Sequence, residues 1–158
     1  MSKYKVTLET HSVADTQCFG ERLGHWVKQN GNPLCMALVG DLGTGKTHMS
    51  QGIAKGLGVT EEITSPTFSL MNTYMTLAGE LYRMDDVSEL ENIGFYEFTE
   101  DQISIVEWAD KFSDELPEET LWIRIVSIDE HSRAITLESD LIDHETLVEI
   151  GGIYVVGN

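Results

Sequence analysis

The sequence predicts an α/β domain with three layers, in which helices cover a mostly parallel central sheet. Two apolar runs, PLCMALVG at 33–40 and QISIVEW at 102–108, are continuous rather than alternating, which is typical of strands buried on both faces of a parallel sheet. Segments with helical spacing of apolar residues separate the strand-like segments. Two alternating runs further along, LWIRIVSI and RAITLE, predict an antiparallel C-terminal hairpin.

The N-terminal part of the chain is predicted as strand, helix, strand and helix. Residues 4–8 alternate like a strand, and Ser12 then opens a capping box before a helix at 13–28, which NGNP ends. After the first apolar strand, residues 48–57 contain helix formers and stop at Gly58, a typical C-cap. The glycine-rich segment in front of this second helix therefore joins a buried strand to a helix.

The rest of the chain carries weaker signals. We expect a loop at 64–66, a strand at 67–74 and a short helix in SELENIGFYEF that breaks at Gly94. Residues 140–158 support no prediction. The chain shows no repeat or linker, and 158 residues of which 41% are hydrophobic are typical of one globular domain. We therefore expect 1–158 to form a single domain.

The chain is strongly acidic. Ten Lys and Arg residues stand against 27 Asp and Glu residues, which gives a formal net charge of −17. A surface of that sign repels nucleic acid phosphates, so the chain is not expected to bind RNA unaided. The acidity is consistent with a solubility role or with a basic partner protein, and composition does not separate the two.

Cysteine usage and hydropathy indicate the compartment. Cys18 and Cys35 have neither metal-ligand spacing nor the pattern of a disulfide framework, which favours thiols in a reducing compartment. The N-terminus has no apolar leader, and no window reaches the roughly 18 apolar residues of a membrane span. We therefore expect a cytoplasmic protein without a membrane contact.

The segment GDLGTGKT at 40–47 matches the phosphate-binding pattern G-x-x-x-x-G-K-[ST], known as a P-loop. Its glycines allow backbone conformations that turn successive N–H groups towards phosphates. The helix that follows adds the partial positive charge of its N-terminus. In this pattern Lys46 would reach the β- and γ-phosphates of a nucleotide, and the Thr47 hydroxyl would bind Mg²⁺.

A P-loop also needs a carboxylate near the metal ion, at the end of a neighbouring strand. Glu107 follows the apolar residues 103–106 and is our prediction for it; the alternative is a charge that merely ends a strand. The chain contains no N-K-x-D motif, so selectivity for GTP has no visible basis. After the loop it contains only Arg83, Arg124 and Arg133, too few for the arginine-rich lid of a nucleoside monophosphate kinase.

Four ordered segments, GDLGTGKT, SPTFSL, ELENIGFYEF and IVEW, resemble the TsaE (YjeE) family of bacterial P-loop ATPases over residues 10–138. The resemblance implies a P-loop NTPase-like sandwich that uses ATP and Mg²⁺. It implies action with TsaD and TsaB in making N6-threonylcarbamoyladenosine in tRNA, without transferring the carbamoyl group itself. In that setting ATP hydrolysis by this chain would support turnover of the partner complex. Because the chain is too acidic to hold tRNA alone, it would contact tRNA only through that complex.

The resemblance also implies roles for individual residues. The nucleotide would be held by Asp41, Leu42, Gly43, Thr44, Gly45, Lys46, Thr47 and His48. Mg²⁺ would be bound by Thr47 and Glu107, and the catalytic residues would be Lys46, Glu107 and Thr67, the last on a switch-like loop near the γ-phosphate. Arg133 would approach the outer side of the nucleotide; the alternative is a strand-end arginine that faces solvent.

The chain departs from the family pattern L-Y-H-x-D-x-Y-R, whose aspartate ends a strand near the metal ion. Here the sequence reads GELYRMDDVSEL, as though five residues of the family pattern were missing between Tyr82 and Arg83. Either Glu80 or Asp85 would have to replace the aspartate, and the sequence does not choose between them. Two other functions therefore stay open: a nucleotide-gated binding module of the same complex with impaired hydrolysis and, more remotely, a small-molecule kinase.

Overall fold

The computed structural model describes residues 3–32, 34–40, 45–58, 72–77, 80–84, 103–107 and 119–156. Within them the chain forms seven strands and three α-helices. In chain order the elements are β1 (Tyr4–Thr10), α1 (Val13–Asn30), β2 (Leu34–Val39), α2 (Lys46–Gly56), β3 (Asn72–Leu77), β4 (Glu80–Met84), β5 (Ile103–Glu107), β6 (Leu121–Ser127), β7 (Arg133–Ser139) and α3 (His144–Gly151). A 3-10 turn at Gly152–Tyr154 follows α3.

The strands form one sheet in the order β1-β7-β6-β2-β5-β3-β4. The mixed α/β class and the antiparallel C-terminal hairpin, β6 with β7, are confirmed. The prediction of a mostly parallel sheet is wrong for the described strands, because only β2 with β5 and β2 with β6 pair in parallel, whereas four pairings are antiparallel. Only two residues separate β3 from β4, and so short a connection permits only an antiparallel pair.

The predicted elements and the observed ones differ mainly at their ends. The first helix runs on to Asn30, and the second begins two residues earlier than predicted, at Lys46. The strand predicted at 67–74 overlaps β3, which occupies Asn72–Leu77, while its residues 67–71 and the loop predicted at 64–66 lie outside the described residues. β4 is not among the predicted elements. The tail that supported no prediction forms α3. The short helix predicted around Gly94, which would supply a further layer, lies outside the described residues.

Local signals at both ends of α1 explain its length. The Ser12 hydroxyl accepts a hydrogen bond from the Asp15 N–H at 3.0 Å, which caps the helix as the sequence predicts. At the other end Gly31 adopts φ 74°, and its N–H donates to the Val27 carbonyl at 3.2 Å. A glycine takes this left-handed conformation without a steric penalty, so the helix stops there.

One face of the β1, β7 and β6 part of the sheet is buried against the helices. Alternate residues of these strands are buried, which is the period expected of a half-covered antiparallel sheet. The helices fill the core above this face with Phe19, Leu23, Met49, Ile53, Leu147 and Ile150. The core therefore joins all three helices to the strands.

Helices α1 and α2 pack with their backbones in close contact through four glycines. Gly20 and Gly24 lie on α1 and face α2, and Gly52 and Gly56 lie on α2 and face α1. A Cβ atom at Gly20 would lie 2.7 Å from the Met49 carbonyl oxygen, and one at Gly24 would overlap the Ile53 carbonyl. Real Cβ atoms do not approach so closely, so only glycine fits at these places.

The C-terminal segment anchors α1 from its other side. The Arg22 guanidinium donates to the carbonyl oxygens of Ile150 and Glu149, each at 2.9 Å. The rings of Phe19 and Tyr154 meet edge to face with centroids 6.0 Å apart. Helix α1 is thus held between α2 and the end of the chain.

We expect Gly24→Ala to lower the stability of the protein. The added methyl group collides with backbone of α2, and overpacking of this kind costs about 1–3 kcal/mol. This loss exceeds the gain of up to about 1 kcal/mol that alanine brings to a helix interior. The free energy of unfolding is measured by urea denaturation, with Gln29→Ala, an exposed position on the same helix, as control. A Gly24→Ala protein as stable as the wild type would contradict the tight packing.

Candidate nucleotide site

The segment GDLGTGKT at 40–47, which we call the cradle, lies where β2 ends and α2 begins. Gly40 follows β2, and Gly45, with φ 102°, precedes the first helical residue, Lys46. That φ belongs to the left-handed region, which glycine adopts readily and other residues rarely do. Among the described residues no side chain caps this helix, and its first turn carries no acidic residue. The first N–H groups of α2 are therefore suited to an anion.

Lys46 is the cation of this site. Its side chain is buried, with the residue 6% exposed, and its Nζ donates a hydrogen bond to the Gly40 carbonyl oxygen. This bond joins the two ends of the 40–47 segment. A buried ammonium group has lost most of its hydration, so it favours a strong acceptor such as a phosphate oxygen.

Several strand ends meet at the same edge of the sheet as this segment, which we call the cradle edge. Because β5 runs parallel to β2, with Glu107 opposite Leu38, β5 also ends there. Strand β3 runs the other way and begins there, with Asn72 opposite Glu107. The backbone of Glu107 therefore lies next to the strand that leads into the cradle, as the sequence predicts for a metal-side carboxylate.

The register of β4 separates the two candidate replacements for the family aspartate. Met84 pairs with Thr73 at the cradle edge, whereas Glu80 pairs with Leu77 at the opposite edge. Glu80 and Met84 are four positions apart, which corresponds to about 13 Å along the strand at roughly 3.3 Å per residue. Asp85 follows Met84 in the sequence and is itself outside the described residues. Glu80 is thus too far along its strand to serve the cradle.

Arg133 begins β7 at the cradle edge, opposite Thr10 and Ser127. Its guanidinium donates to the carbonyl oxygens of Asp129 and Ser132, each at 2.9 Å, within its own hairpin turn. These bonds within the turn are a role that the sequence did not indicate. Contact of Arg133 with a nucleotide stays a prediction.

The turn between β6 and β7 is stabilised by hydrogen bonds to the side chain of Asp129. The Asp129 carboxylate accepts the N–H groups of His131 at 2.9 Å and Ser132 at 2.8 Å. These backbone hydrogen bonds lower the pKa of Asp129 below its usual value. The Ser132 hydroxyl also lies 3.2 Å from His11 Nδ1, which joins the turn to the end of β1.

A polar contact between the helices reaches the start of α2. Gln17 Nε2, on α1, donates to Gln51 Oε1 at 3.1 Å and lies 3.5 Å from His48 Nδ1. His48 follows Thr47, so this contact lies within one turn of the cradle. Sequence reasoning did not single out Gln17; the available signal is a polar residue in the otherwise apolar stripe of α1.

The remaining sequence-predicted site residues include several that the structure does not describe. Asp41, Leu42, Gly43, Thr44 and Thr67 lie outside the described residues, and for Thr47 only the backbone is described. Within the described part of the chain, no group of three or more His, Cys, Asp or Glu side chains could hold a metal ion, and no helix could span a membrane. Cys18 and Cys35 form no disulfide.

The oxygen donors predicted for Mg²⁺ come from separate elements. Thr47 is the second residue of α2 and Glu107 ends β5, so the backbones of both lie at the cradle edge. Asp85 follows the strand end at the same edge. Hydroxyl and carboxylate oxygens are the ligands that Mg²⁺ prefers in proteins. The residues available therefore fit this ion.

Comparison with known proteins gives a consistent result. The family model described as "Threonylcarbamoyl adenosine biosynthesis protein TsaE" matches residues 10–135. The chain is 37% identical over 118 residues to the tRNA threonylcarbamoyladenosine biosynthesis protein TsaE of Bacillus subtilis, covering 72% of this chain and 75% of the relative. It is 33% identical over 133 residues to the protein of the same name from Treponema pallidum, covering 81% and 96%.

A solved structure is similar as well. The crystal structure of YdiB from Bacillus subtilis superposes with a TM-score of 0.65 at 28% identity and covers 94% of both chains. The described fold is therefore shared with a solved protein over nearly its whole length. Together with the family model, which matches from the end of β1 into β7, these findings show that the chain belongs to the TsaE family of threonylcarbamoyladenosine biosynthesis proteins.

Proposed function

We propose that this protein is an ATP-binding, Mg²⁺-dependent ATPase that serves the threonylcarbamoyladenosine modification of tRNA. The observation that carries the proposal is the buried Lys46, bonded to Gly40 at an uncapped helix N-terminus on the cradle edge. A fixed cation beside free backbone N–H groups is suited to a polyphosphate. The family's role in this biosynthesis supports the same substrate class.

In this proposal the chain holds the phosphates mainly through its backbone. The N–H groups of 41–47 and the first turn of α2 would face the phosphate oxygens, and Lys46 would exchange the Gly40 carbonyl for the outer phosphates. His48, positioned beside Gln17, would border the nucleotide. Arg133 would approach it only if it leaves the carbonyls of its own turn.

Hydrolysis requires a metal site and a positioned water molecule. Thr47 and Glu107 would hold Mg²⁺, which neutralises charge on the phosphates when it is bound. The register of β4 favours Asp85, rather than Glu80, as the further carboxylate that orients water. Thr67 would lie near the γ-phosphate, because its segment leads into β3, which begins at the cradle edge.

The formal charge of −17 supports partners that are proteins rather than nucleic acid. We propose that TsaD- and TsaB-type proteins bind this chain in the cytoplasm and that tRNA is contacted only through the complex. The experiment that tests the function is ATP turnover measured with and without these two proteins. Stimulation by the partners is expected; phosphoryl transfer to a small acceptor without them would instead indicate a kinase.

The second candidate function is a nucleotide-gated binding module that hydrolyses ATP poorly. The altered segment GELYRMDD favours it, because the family's histidine has no counterpart there and Glu80 lies at the opposite edge. Both candidates bind Mg-ATP and the same partners. They differ in turnover within the complex: a single round of ATP binding without multiple turnovers would favour the binding module.

We expect Lys46→Ala to weaken ATP binding by about 10- to 100-fold, because hydrogen bonds from charged groups contribute about 1.5–3 kcal/mol. Lys55→Ala, on the same helix, is the matched control. The Lys55 side chain is 75% exposed and its ammonium lies 3.9 Å from the Glu21 carboxylate, so the affinity should not change. Calorimetry measures both. Equal ATP affinity of the two variants would show that the cradle is not the ATP-binding site.

We expect Asp85→Asn to reduce ATP turnover by about a hundredfold or more, because the amide keeps the shape of the side chain but cannot accept a proton, and a positioned acid or base contributes about 10²- to 10⁴-fold. Glu80→Gln makes the same carboxylate-to-amide change at the opposite edge of the sheet and should retain the wild-type rate. Turnover is compared in the presence of TsaD and TsaB, and ATP affinity is measured beside it. Loss of turnover in Glu80→Gln alone would show that the register argument is wrong.

A further inference from the structure

A groove of about 380 Å³ opens at the sheet edge opposite the cradle. It lies between the end of α1, the start of β2 and the segment that leads into α3. Trp26, Asn30, Glu119, Leu141 and Asp143 are among the residues that line it. None of these takes part in the nucleotide site, so the groove is a separate feature of the fold.

The groove has an apolar wall that is held in place. Trp26 is half-buried against the core, whereas Leu141 is 66% exposed. The Leu141 N–H donates to the buried Ser139 hydroxyl at 3.2 Å, and the next N–H, of Ile142, does so at 3.0 Å. This exposed leucine therefore sits on a rigid turn rather than on a mobile tip, which suits a preformed binding surface.

The polar part of the groove is electronegative. Glu119 and Asp143 contribute carboxylates from two different segments, and the Thr146 hydrogen bonds lower the pKa of Asp143, which keeps it ionised. The C-terminal end of α1, at Asn30, adds partial negative charge, whereas the Asp143 carboxylate caps α3 and offsets the partial positive charge of that helix start. Among the described lining residues there is no Lys, Arg or His. A cation is therefore the group that this surface favours.

We propose that the groove docks a lysine- or arginine-bearing segment of a protein partner. The aliphatic stem of the basic side chain would lie along Leu141 and the Trp26 ring, and its cationic head would lie between Glu119 and Asp143. The formal charge of −17 disfavours a second copy of this chain as the occupant. The proposal rests on the proposed function, since the partner would belong to the same tRNA-modifying complex.

The first test uses the full chain and its TsaD–TsaB partners. Glu119→Lys and Leu141→Asp should each weaken binding of the partners about tenfold or more, and added salt should weaken wild-type binding, because an exposed ion pair is screened. Glu149→Lys makes the same charge change at an exposed residue of α3 that does not line the groove, and should bind normally. ATP affinity should stay unchanged in all three. Unchanged partner affinity in both groove variants would overturn the proposal.

The second test separates the groove from the proposed function. The peptides acetyl-Leu-Arg-Leu-amide and acetyl-Leu-Glu-Leu-amide are titrated into the full chain, and the indole N–H signal of Trp26, assigned with Trp26→Phe, is followed by NMR. A saturable shift with the arginine peptide alone, lost in Glu119→Lys, supports the docking site even if TsaD and TsaB do not bind. No shift, an equal shift with both peptides, or concentration-dependent dimers of the free chain would overturn it.

Discussion

The backbone contact between α1 and α2 is the constraint on which the candidate site depends. Without Cβ atoms at four glycines, the two helices lie close enough for the backbone of each to contact the other. The helix that opens with Lys46 therefore has little freedom to shift relative to α1. The contact between Gln17 and His48 continues this interface to the first turn of α2. The orientation of the N-terminal end of α2 is thus set by packing along the rest of that helix.

The position of α1 depends in turn on the end of the chain. Arg22 binds carbonyl oxygens of the last turn of α3, and Phe19 contacts Tyr154. The partners of Arg22 and Phe19 in these contacts lie beyond residue 135, where the match to the family model ends. Helix α2 is therefore supported, through α1, by a segment outside the part of the chain that the family model matches.

The sequence predicts best those features that depend on local chemistry. The cap at Ser12 and the strand and helix around GDLGTGKT follow from neighbouring residues alone, and the structure has them. The direction of most strands does not follow from neighbouring residues. A continuous apolar run identifies β2 and β5 as buried strands but carries no information about the strands that lie beside them. β4 was missed because the five residues ELYRM are short and partly polar.

The candidate site shows the same division. Lys46 and Gly45 are set by a motif, whereas the choice between Glu80 and Asp85 depends on the pairing register of β4, which a two-residue connection determines. The guanidinium of Arg133 is bonded within a turn whose shape depends on Asp129. Such contacts follow from the folded geometry, and the residue types alone do not specify them.

The pairing of β1 with β7 has a consequence for how the protein is made. Tyr4 lies opposite Ser139, so β1 has no described neighbour in the sheet until β7 has been synthesised. At about 5–20 residues per second, roughly 7–27 s of synthesis separate the two. During this time β1 cannot form its ladder with β7, whereas α1 can already pack against α2. Pairing between strands this far apart in the chain slows folding relative to a fold whose sequential strands are neighbours.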